Sequence, residues 1–447
     1  MSENTLKRVL SRFDAAVLGF GAMIGWGWVI LAGAWVSDAG VGGAALAFVI
    51  GSTAIIVIGL TYAELASALP FAGGEHAYTE RAFGSTVSFI CTWSIIFGYV
   101  AVVAFEAIAL PVAVVYLIPE FKAIPLWEVA GYRVHLSEVA LGAFAALAIT
   151  GLNILGVRIA ARVQAVVIIL LLAAGALLLT GGIFHVGDIP SDVPGWKGMG
   201  GIFAVIITVP FLFVGFDVIP QSAEEVSGPS RDIGKALIIA LVMAVAFYML
   251  IVFSVGLAPL DRDNIDIATA DAAGAWWNSP KAAGFVILAG IGGIVTSWNS
   301  FLIGGSRALF AMARSKQLPT FLSAVHPKYG TPWVAIALIG TVSAFAPLLG
   351  RNALVWIVNA GGFGIALAYL FVAAAFLKLR RTEPELERPF LAPGGGIGYA
   401  ALILGVGLIA LYLPVSPAAL SWPHEWGLLG LWAGIGALFW LMRPKSV

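Results

Sequence analysis

The sequence has 447 residues, of which 60% are hydrophobic and only 11% are charged, and its mean hydropathy is +0.99. This composition excludes a soluble protein built around one or several cores and indicates a polytopic membrane protein. The 24 basic and 24 acidic side chains balance, so nucleic acid is not expected as a partner.

Apolar runs of about 20 residues, long enough to cross the ~30 Å hydrocarbon layer, recur along the chain. They predict twelve transmembrane helices near residues 13–37, 43–69, 86–118, 137–155, 160–183, 199–223, 234–257, 282–312, 333–349, 353–377, 397–414 and 427–442. Of the 24 Lys and Arg, those on the side opposite the termini are only Lys122, Arg133, Lys197, Arg262, Lys281 and Arg351. The positive-inside rule then predicts a multi-pass protein of the inner or plasma membrane with both termini cytoplasmic.

The first predicted span is interrupted by four glycines within Gly19–Gly27. Each costs a helix interior about 1 kcal/mol relative to Ala, so the segment is expected to unwind. A second interruption follows at Val209–Pro220, where two prolines, Gly215 and Asp217 break an apolar run. Backbone freed at membrane depth is tolerated where it lines a cavity, so paired breaks indicate a secondary transporter. Close helix packing is the other interpretation of the glycines.

Each break opens a group of five spans, at residues 13–183 and 199–377. An odd number of spans makes the second group enter the membrane from the opposite side, which predicts an inverted repeat. The predicted fold is therefore an all-α membrane protein with a cytoplasmic N-terminus at residues 1–12, five plus five inverted spans, and two further spans at 397–442.

Several other classes of protein find little support. The chain has no Walker-type nucleotide-binding loop, its single cysteine is Cys91, and its five histidines lie in or next to loops. Transport driven by ATP hydrolysis and a membrane-embedded enzyme are therefore not expected, and neither is a cofactor. A transport-inactive sensor would keep the same binding site and stays open.

Four motifs occur in order on the predicted spans. They are Gly21-Ala-Met-Ile-Gly-Trp-Gly27, Ala63-Glu-Leu-Ala-Ser-Ala-Leu-Pro-Phe-Ala-Gly-Gly74 with Tyr78, Gly215-Phe-Asp217 with Ala223-Glu-Glu225 and Pro229, and Ser306-Arg-Ala-Leu-Phe-Ala-Met-Ala-Arg314 with Leu318-Pro319. This arrangement resembles the amino acid, polyamine and organocation permease superfamily, nearest its cationic amino acid transporter branch and that branch's bacterial relatives. The resemblance implies the LeuT-type fold and transport of a small amino acid or related amine.

The resemblance also implies which residues bind substrate. The positions that match the carboxylate-binding break of the first span are Ile24, Gly25, Trp26 and Gly27, where unpaired amides favour an anion. Phe213 and Phe216 match residues around the substrate's amino group. Trp26 and Trp28 depart from the family pattern and would shrink the cavity or face an ammonium group. Alternatively, Trp28 faces lipid or a neighbouring helix and not the cavity.

Two carboxylates stand at membrane depth, one near the middle of the third predicted span and one in the break of the sixth, where charged groups are costly and usually functional. Asp217 either pairs with an amine and helps set the site's protonation, or caps the half-helix that follows it. Glu106, in the third span, is either a proton carrier or a neutral acid bonded to a backbone carbonyl. Glu224 and Glu225 are expected near the cytoplasmic end, paired with Arg231 or Lys235.

The coupling ion is open. Some proton-coupled members of the superfamily carry a lysine in the fifth span, but residues 164–178 contain no basic residue and Leu171 takes the corresponding place. In the eighth span, hydroxyls of Thr296, Ser297 and Ser300 would bind sodium together with carbonyls near Ala22 and Gly25, unless they bond their own backbone. We expect proton-coupled import; sodium symport, exchange, and an amine or polyamine substrate stay as alternatives.

The acidic loop at 258–280 is predicted outside, with a short helix over the mouth.

Overall fold

The computed structural model describes residues 6–191, 193–260, 267–414, 416 and 419–443, except for the side chains of residues 157–159. The helices of the first half are α1 (Arg12–Met23), α2 (Gly27–Ile30), α3 (Ala32–Ala68), α4 (Glu75–Phe83), α5 (Ser85–Leu117), α6 (Leu136–Leu155) and α7 (Val157–Phe184). Between α5 and α6 lies an antiparallel hairpin of β1 (Pro125–Val129) and β2 (Tyr132–His135). Helices therefore dominate the described part of the first half.

The second half is also helical. Its helices are α8 (Met199–Ile206), α9 (Val209–Phe213), α10 (Val218–Gln221), α11 (Arg231–Gly256), α12 (Ala268–Trp277), α13 (Pro280–Arg314), α14 (Trp333–Phe345), α15 (Ala353–Thr382), α16 (Ile397–Tyr412) and α17 (His424–Met442). Short 3₁₀ helices lie at Pro119–Phe121, Val186–Asp188, Ala223–Glu225, Thr320–Ser323 and Ala346–Leu349.

Within the described residues, nine helical segments are long and apolar enough to cross a bilayer. They are Ala32–Ala68, Ser85–Leu117, Leu136–Leu155, Ala160–Phe184, Met199–Gln221, Arg231–Gly256, Pro280–Arg314, Ala353–Thr382 and His424–Met442. Two shorter apolar helices are Trp333–Leu349 and Ile397–Tyr412. The multi-pass membrane prediction is confirmed, while the count of twelve spans and the inverted repeat stay predictions.

The first predicted span is divided among α1, α2 and the start of α3. The turn between it and the second predicted span lies inside α3, at Gly40, whose φ is +73°. A Cβ at Gly40 would come 2.5 Å from the carbonyl oxygen of Pro194, and the next amide, of Val41, donates to that oxygen at 2.9 Å. Because only glycine accepts this φ without strain, Gly40 fixes the boundary between the two spans.

Helix burial places the two breaks at the centre of the molecule. The most apolar window of α13 is 78% buried within the protein, whereas that of α17 is 11% buried. Helix α1 packs against α11 and α13, and α10 packs against α1 and α13. The segments that follow α1 and precede α10 therefore lie among buried helices, and α17 lies at the periphery.

The two ends of the bundle are distinguished by their loops. At the inner end, as we call it, the N-terminal segment pairs with the chain after α10, since the amides of Val9 and Leu10 donate to the carbonyl oxygen of Glu225 at 2.9 Å. The outer end carries the β hairpin and α12. Helix α12 is the short helix predicted at 258–280; the Asp261, Asp263 and Asp266 of that loop lie outside the described residues.

Candidate functional site

The two interrupted segments touch each other. Helix α1 ends at Met23 and α2 begins at Gly27, while α9 ends at Phe213 and α10 begins at Val218. Gly215 has φ +125°, and a Cβ there would lie 3.1 Å from the amide nitrogen of Met23. A glycine is therefore needed where the second break crosses the first.

A tyrosine of α11 joins the two breaks. The hydroxyl of Tyr248 lies 2.7 Å from the carbonyl oxygen of Met23 and 3.2 Å from that of Leu212, and it donates to both. Tyr248 is 1% exposed. Carbonyls left without helical partners at membrane depth need such a donor. Sequence reasoning missed Tyr248, because no local pattern places a residue of α11 against both segments.

Between the breaks lies a narrow cavity of about 20 Å³, room for about one water molecule. The residues that line it come from the two breaks and from α5, α9, α11 and α13. They are Ala22, Met23, Gly25, Trp26, Gly27, Val102, Phe105, Glu106, Phe211, Leu212, Val214, Tyr248, Ser297 and Phe301. We call this the central cavity. An amino acid fits only if side chains in its wall move.

The first break supplies its backbone to the central cavity. Gly25, Trp26 and Gly27 line it, and the amides of Gly25 and Trp26 donate to no other backbone group of the described chain. The side chain of Ile24 is buried outside the cavity, and a Cβ at Gly293 of α13 would lie 2.8 Å from the carbonyl oxygen of Ile24. Three of the four predicted carboxylate-binding positions thus face the cavity.

Glu106 is the only acidic side chain among the cavity-lining residues. A Cβ at Gly25 would lie 2.8 Å from Glu106 Oε1 and 3.2 Å from Ser297 Oγ, so the absence of a side chain at Gly25 lets the carboxyl reach the break. Glu106 is 2% exposed, and its Oε2 has no hydrogen-bond partner in the described part of the structure. A free acceptor in this position is suited to an ammonium group or a proton.

Asp217 is held behind the second break, away from the central cavity. Its Oδ2 accepts from the Tyr99 hydroxyl at 2.5 Å, and its Oδ1 accepts from the amide of Gly215 at 2.7 Å and from the Tyr369 hydroxyl at 3.4 Å. Asp217 stands at the N-cap position of α10, but its side chain makes no capping hydrogen bond to that helix, so its contacts match neither the capping role nor contact with a substrate amine. They also hold the φ-positive backbone of Gly215 in place.

Two of the predicted aromatic residues lie outside the lining of the central cavity. The ring of Phe213 packs 5.3 Å from that of Tyr248, and Phe216 packs between Tyr62 and Tyr369. The aromatic walls are instead Phe105, Phe211 and Phe301. The order of the aromatic residues along 211–216 does not reveal which of them line the cavity, because the chain leaves the helix within that stretch.

The two tryptophans have different surroundings. Trp28 is fully buried and packs edge-on against Phe247 of α11 with ring centroids 5.3 Å apart, so it faces a neighbouring helix. Trp26 lines both the central cavity and a second cavity of about 550 Å³ at the outer end. We call the second cavity the outer vestibule. Phe105 also lines both, so Trp26 and Phe105 form the partition between them.

The predicted ion-binding hydroxyls of α13 are already engaged. Thr296 Oγ1 donates to the carbonyl oxygen of Gly293 in its own helix, and Ser300 Oγ donates to the carbonyl oxygen of Leu18 at 3.0 Å. Ser300 Oγ also accepts from the side-chain amide of Gln164, at 2.8 Å. Of the three hydroxyl residues, only Ser297 lines the central cavity. Ala22 contributes to that lining as well.

Gln164 of α7 occupies the junction of α1, α7 and α13. Its Nε2 donates to the carbonyl oxygens of Val17 and Leu18 at 3.3 and 3.1 Å, and its Oε1 accepts from Asn299 at 2.6 Å. A neutral amide therefore already bonds Ser300, one of the predicted sodium-binding hydroxyls, while the α1 carbonyls it uses precede Ala22 and Gly25. The sequence showed only that no lysine is present here, and the amide network was not predicted.

The inner end is closed by ion pairs across α13. Arg307 pairs with Glu225 at 2.7 Å, with side chains 0% and 1% exposed, and Arg314 pairs with Glu224 at 2.5 Å. The sequence-based expectation of Arg231 or Lys235 as partners is wrong, because the chain turns after Glu225 and brings α13 alongside. The residues of these two ion pairs line neither the central cavity nor the outer vestibule.

Comparisons with known proteins identify the family. A family model described as "Amino acid permease" matches residues 10–438. The chain is 30% identical to the branched-chain amino acid permease of Bacillus subtilis, over 88% of this chain and 85% of that protein. It is 28% identical to cationic amino acid transporter 4 of Mus musculus, over 88% and 63%, and 28% identical to the aspartate-proton symporter of Bacillus subtilis, over 88% and 77%. The protein is therefore a membrane transporter of the amino acid permease family, and not an enzyme.

Proposed function

We propose that the protein imports a small apolar amino acid together with a proton, by alternating access. The observation that carries the proposal is the central cavity, where the backbone of Gly25 to Gly27 and the carboxyl of Glu106 meet among apolar side chains. Amides of the break would bind the substrate carboxylate, and Glu106 Oε2 would bind its ammonium group.

The lining of the central cavity favours an apolar substrate side chain. Apart from Glu106, Ser297 and Tyr248, its side chains are apolar or absent, so a charged substrate side chain would find few partners. One relative is named as a branched-chain amino acid permease, which agrees with this preference. Amines without a carboxylate would leave the amides of the break unpaired and are the alternative substrates.

Alternating access is supported by the asymmetry between the two ends. The outer vestibule reaches Trp26 and Phe105, while the inner end is closed by Arg307 and Arg314 with their glutamates. We propose twelve spans, with the first, second, sixth and seventh rocking against the third, fourth, eighth and ninth. Both termini would be cytoplasmic, so the vestibule would open outward and the transport direction would be inward.

Proton coupling is preferred to sodium coupling for two reasons. The amide of Gln164 already donates to Ser300 Oγ, and Thr296 Oγ1 bonds its own helix, so two of the three hydroxyls that would bind sodium are engaged. One relative is named as a proton symporter. Glu106 would carry the proton on Oε1, which leaves Oε2 as the acceptor for the ammonium group, and Asp217, which is held by Tyr99 and Gly215, is the second candidate.

A thermal-shift screen of the detergent-purified protein tests the site. We would compare L-leucine, L-alanine, L-lysine, isoamylamine and putrescine, with and without sodium. A ligand at 100 Kd stabilises the folded state by about 2.7 kcal/mol, so the shift is measurable. L-leucine is expected to stabilise the wild type without sodium; stabilisation by the amines alone would refute carboxylate binding at the break.

A matched pair of glycine variants locates the binding. Gly25→Leu fills the central cavity and should abolish the L-leucine shift. Gly407→Leu adds the same side chain on α16 where nothing lies within 4 Å of the Cβ position, and it should leave the shift unchanged. An unchanged shift in Gly25→Leu would place the substrate elsewhere.

A further inference from the structure

Glu75 is a buried acid whose surroundings contain several unsatisfied polar atoms. It is the first residue of α4 at the inner end and is fully buried. Its Oε2 accepts from the side-chain amide of Gln221 in α10, whereas Oε1 has no partner. In the part of the chain that the structure describes, Gln221 Oε1 and the hydroxyls of Tyr62 and Tyr78 also lack partners. A polar group left unpaired in a buried place is costly, so each such group needs an explanation.

Among the residues that the structure describes, the groups that interact electrostatically with Glu75 do not include a cation. From α3 it faces Tyr62, from its own helix Tyr78, from α5 Cys91 and Tyr99, from the second break and α10 Asp217 and Gln221, and from α15 Tyr369. The guanidinium groups of α13, at Arg307 and Arg314, are bound to Glu225 and Glu224. His76, the next residue of α4, contacts Ser88, Ser315 and Glu80.

A proton bound to the carboxyl of Glu75 accounts for the unpaired polar atoms and for the lack of a cation described above. Burial raises the pKa of Glu75, and the nearby Asp217 carboxylate raises it further. Once protonated, the carboxyl gains an O–H donor that can bond one of the unpaired oxygen acceptors around it. The ionised form would leave a buried negative charge that no cation of the described residues pairs with, which is costly.

Tyrosines separate Glu75 from the second break. Asp217 accepts from Tyr99 and Tyr369, and the ring of Tyr369 packs against that of Tyr62 with centroids 5.6 Å apart. Tyr62 in turn faces Glu75. Two buried carboxyls, one behind the second break and one at the inner end, are thus separated by tyrosine side chains.

The contacts of Glu75 also join α4 to the segment that would move. Gln221 belongs to α10, and its carbonyl oxygen accepts from the amide of Gly73 at 3.2 Å, next to α4. A displacement of α10 that opened the inner end would therefore take the amide donor of Gln221 away from Glu75 and admit water to it.

We propose that Glu75 is a proton-binding site of the inner end, which holds one proton while that end is closed and releases it to the inner solution when α10 moves away. The proposal rests on the proposed function. Glu75 takes no part in binding the substrate, and the step transfers one proton from the carboxyl to water and leaves a solvated carboxylate.

The test uses the full-length protein in proteoliposomes that contain a trapped pH-sensitive dye. Uptake of L-leucine and internal acidification are recorded together under an inward proton gradient, and leucine counterflow is recorded without a gradient. For Glu75→Gln we expect loss of gradient-driven accumulation, at least a tenfold drop in protons moved per leucine, and counterflow within about twofold of wild type. Glu385→Gln, an exposed acid in the inner loop after α15, is the control and should match wild type.

A second variant separates proton binding from a structural role. Gln221→Leu removes the amide that favours the carboxylate form, so the pH profile of uptake should move to higher internal pH. Glu75→Gln liposomes that keep the wild-type proton-to-leucine ratio, or a Gln221→Leu profile that does not move, would overturn the proposal. Wild-type liposomes that accumulate leucine without acidification would instead refute proton coupling itself, and with it this inference.

Discussion

Tyr248→Phe removes a single oxygen atom from the junction of the two breaks. The hydroxyl donates at 2.7 Å to Met23 and lies 3.2 Å from the carbonyl oxygen of Leu212, and the side chain is 1% exposed. The ring of Phe fills the same volume, so packing against Phe213 is kept. What is lost is the donor for a buried carbonyl, which costs about 1–3 kcal/mol.

The loss can be expressed as a shift in melting temperature. At ~2.1 cal/mol/K per residue, a chain of 447 residues has an unfolding entropy of roughly 0.9 kcal/mol/K, so Tm should fall by about 1–3 °C. The assay is intrinsic-fluorescence melting of the purified protein in one detergent. Tyr412→Phe is the control, because the Tyr412 hydroxyl makes no hydrogen bond within the described residues. Equal Tm values for the two variants would refute the idea that Tyr248 holds the breaks together.

Three further results are expected. Arg307→Met leaves Glu225 buried without its cation and should lower stability by about 3–5 kcal/mol in denaturant unfolding, whereas adding Glu225→Gln should restore most of it. Trp26→Ala removes half of the partition below the outer vestibule, so L-phenylalanine uptake relative to L-leucine should rise about tenfold or more in proteoliposomes. Replacing sodium by choline should leave L-leucine uptake unchanged, because the hydroxyls of Ser300 and Thr296 are already engaged by Gln164 and by the backbone of α13; sodium dependence would contradict that reasoning.

The positions of the breaks could be predicted because their causes are local. Gly25, Gly27 and Gly215 disfavour helix wherever they stand, and Pro210 and Pro220 limit the helices around the second break. The observed interruptions lie between Met23 and Gly27 and between Phe213 and Val218. The family resemblance, carried by the same motifs, is confirmed along residues 10–438.

Contacts between distant segments could not be predicted in the same way. Tyr248, Gln164 and Glu75 act through groups far along the chain, and neither hydropathy nor spacing shows which face of each helix meets a break. The family pattern indicated Phe213 and Phe216, yet Phe211 lines the central cavity, because the chain unwinds after Phe213 and turns their rings toward Tyr248 and Tyr62.

The buried pair of Arg307 and Glu225 limits how the inner end can open. Both side chains lie out of solvent, so their separation within a dry interior would leave two uncompensated charges at a cost of several kcal/mol each. The free-energy cost of moving α10 and the segment after it becomes small enough only if water enters while the two charges separate. Entry of water at the inner end while the outer vestibule still reached the central cavity would join the two solutions through the protein. The partition at Trp26 and Phe105 must therefore be closed before Arg307 separates from Glu225. The ion pair between Arg307 and Glu225 thus keeps the two ends from opening at the same time.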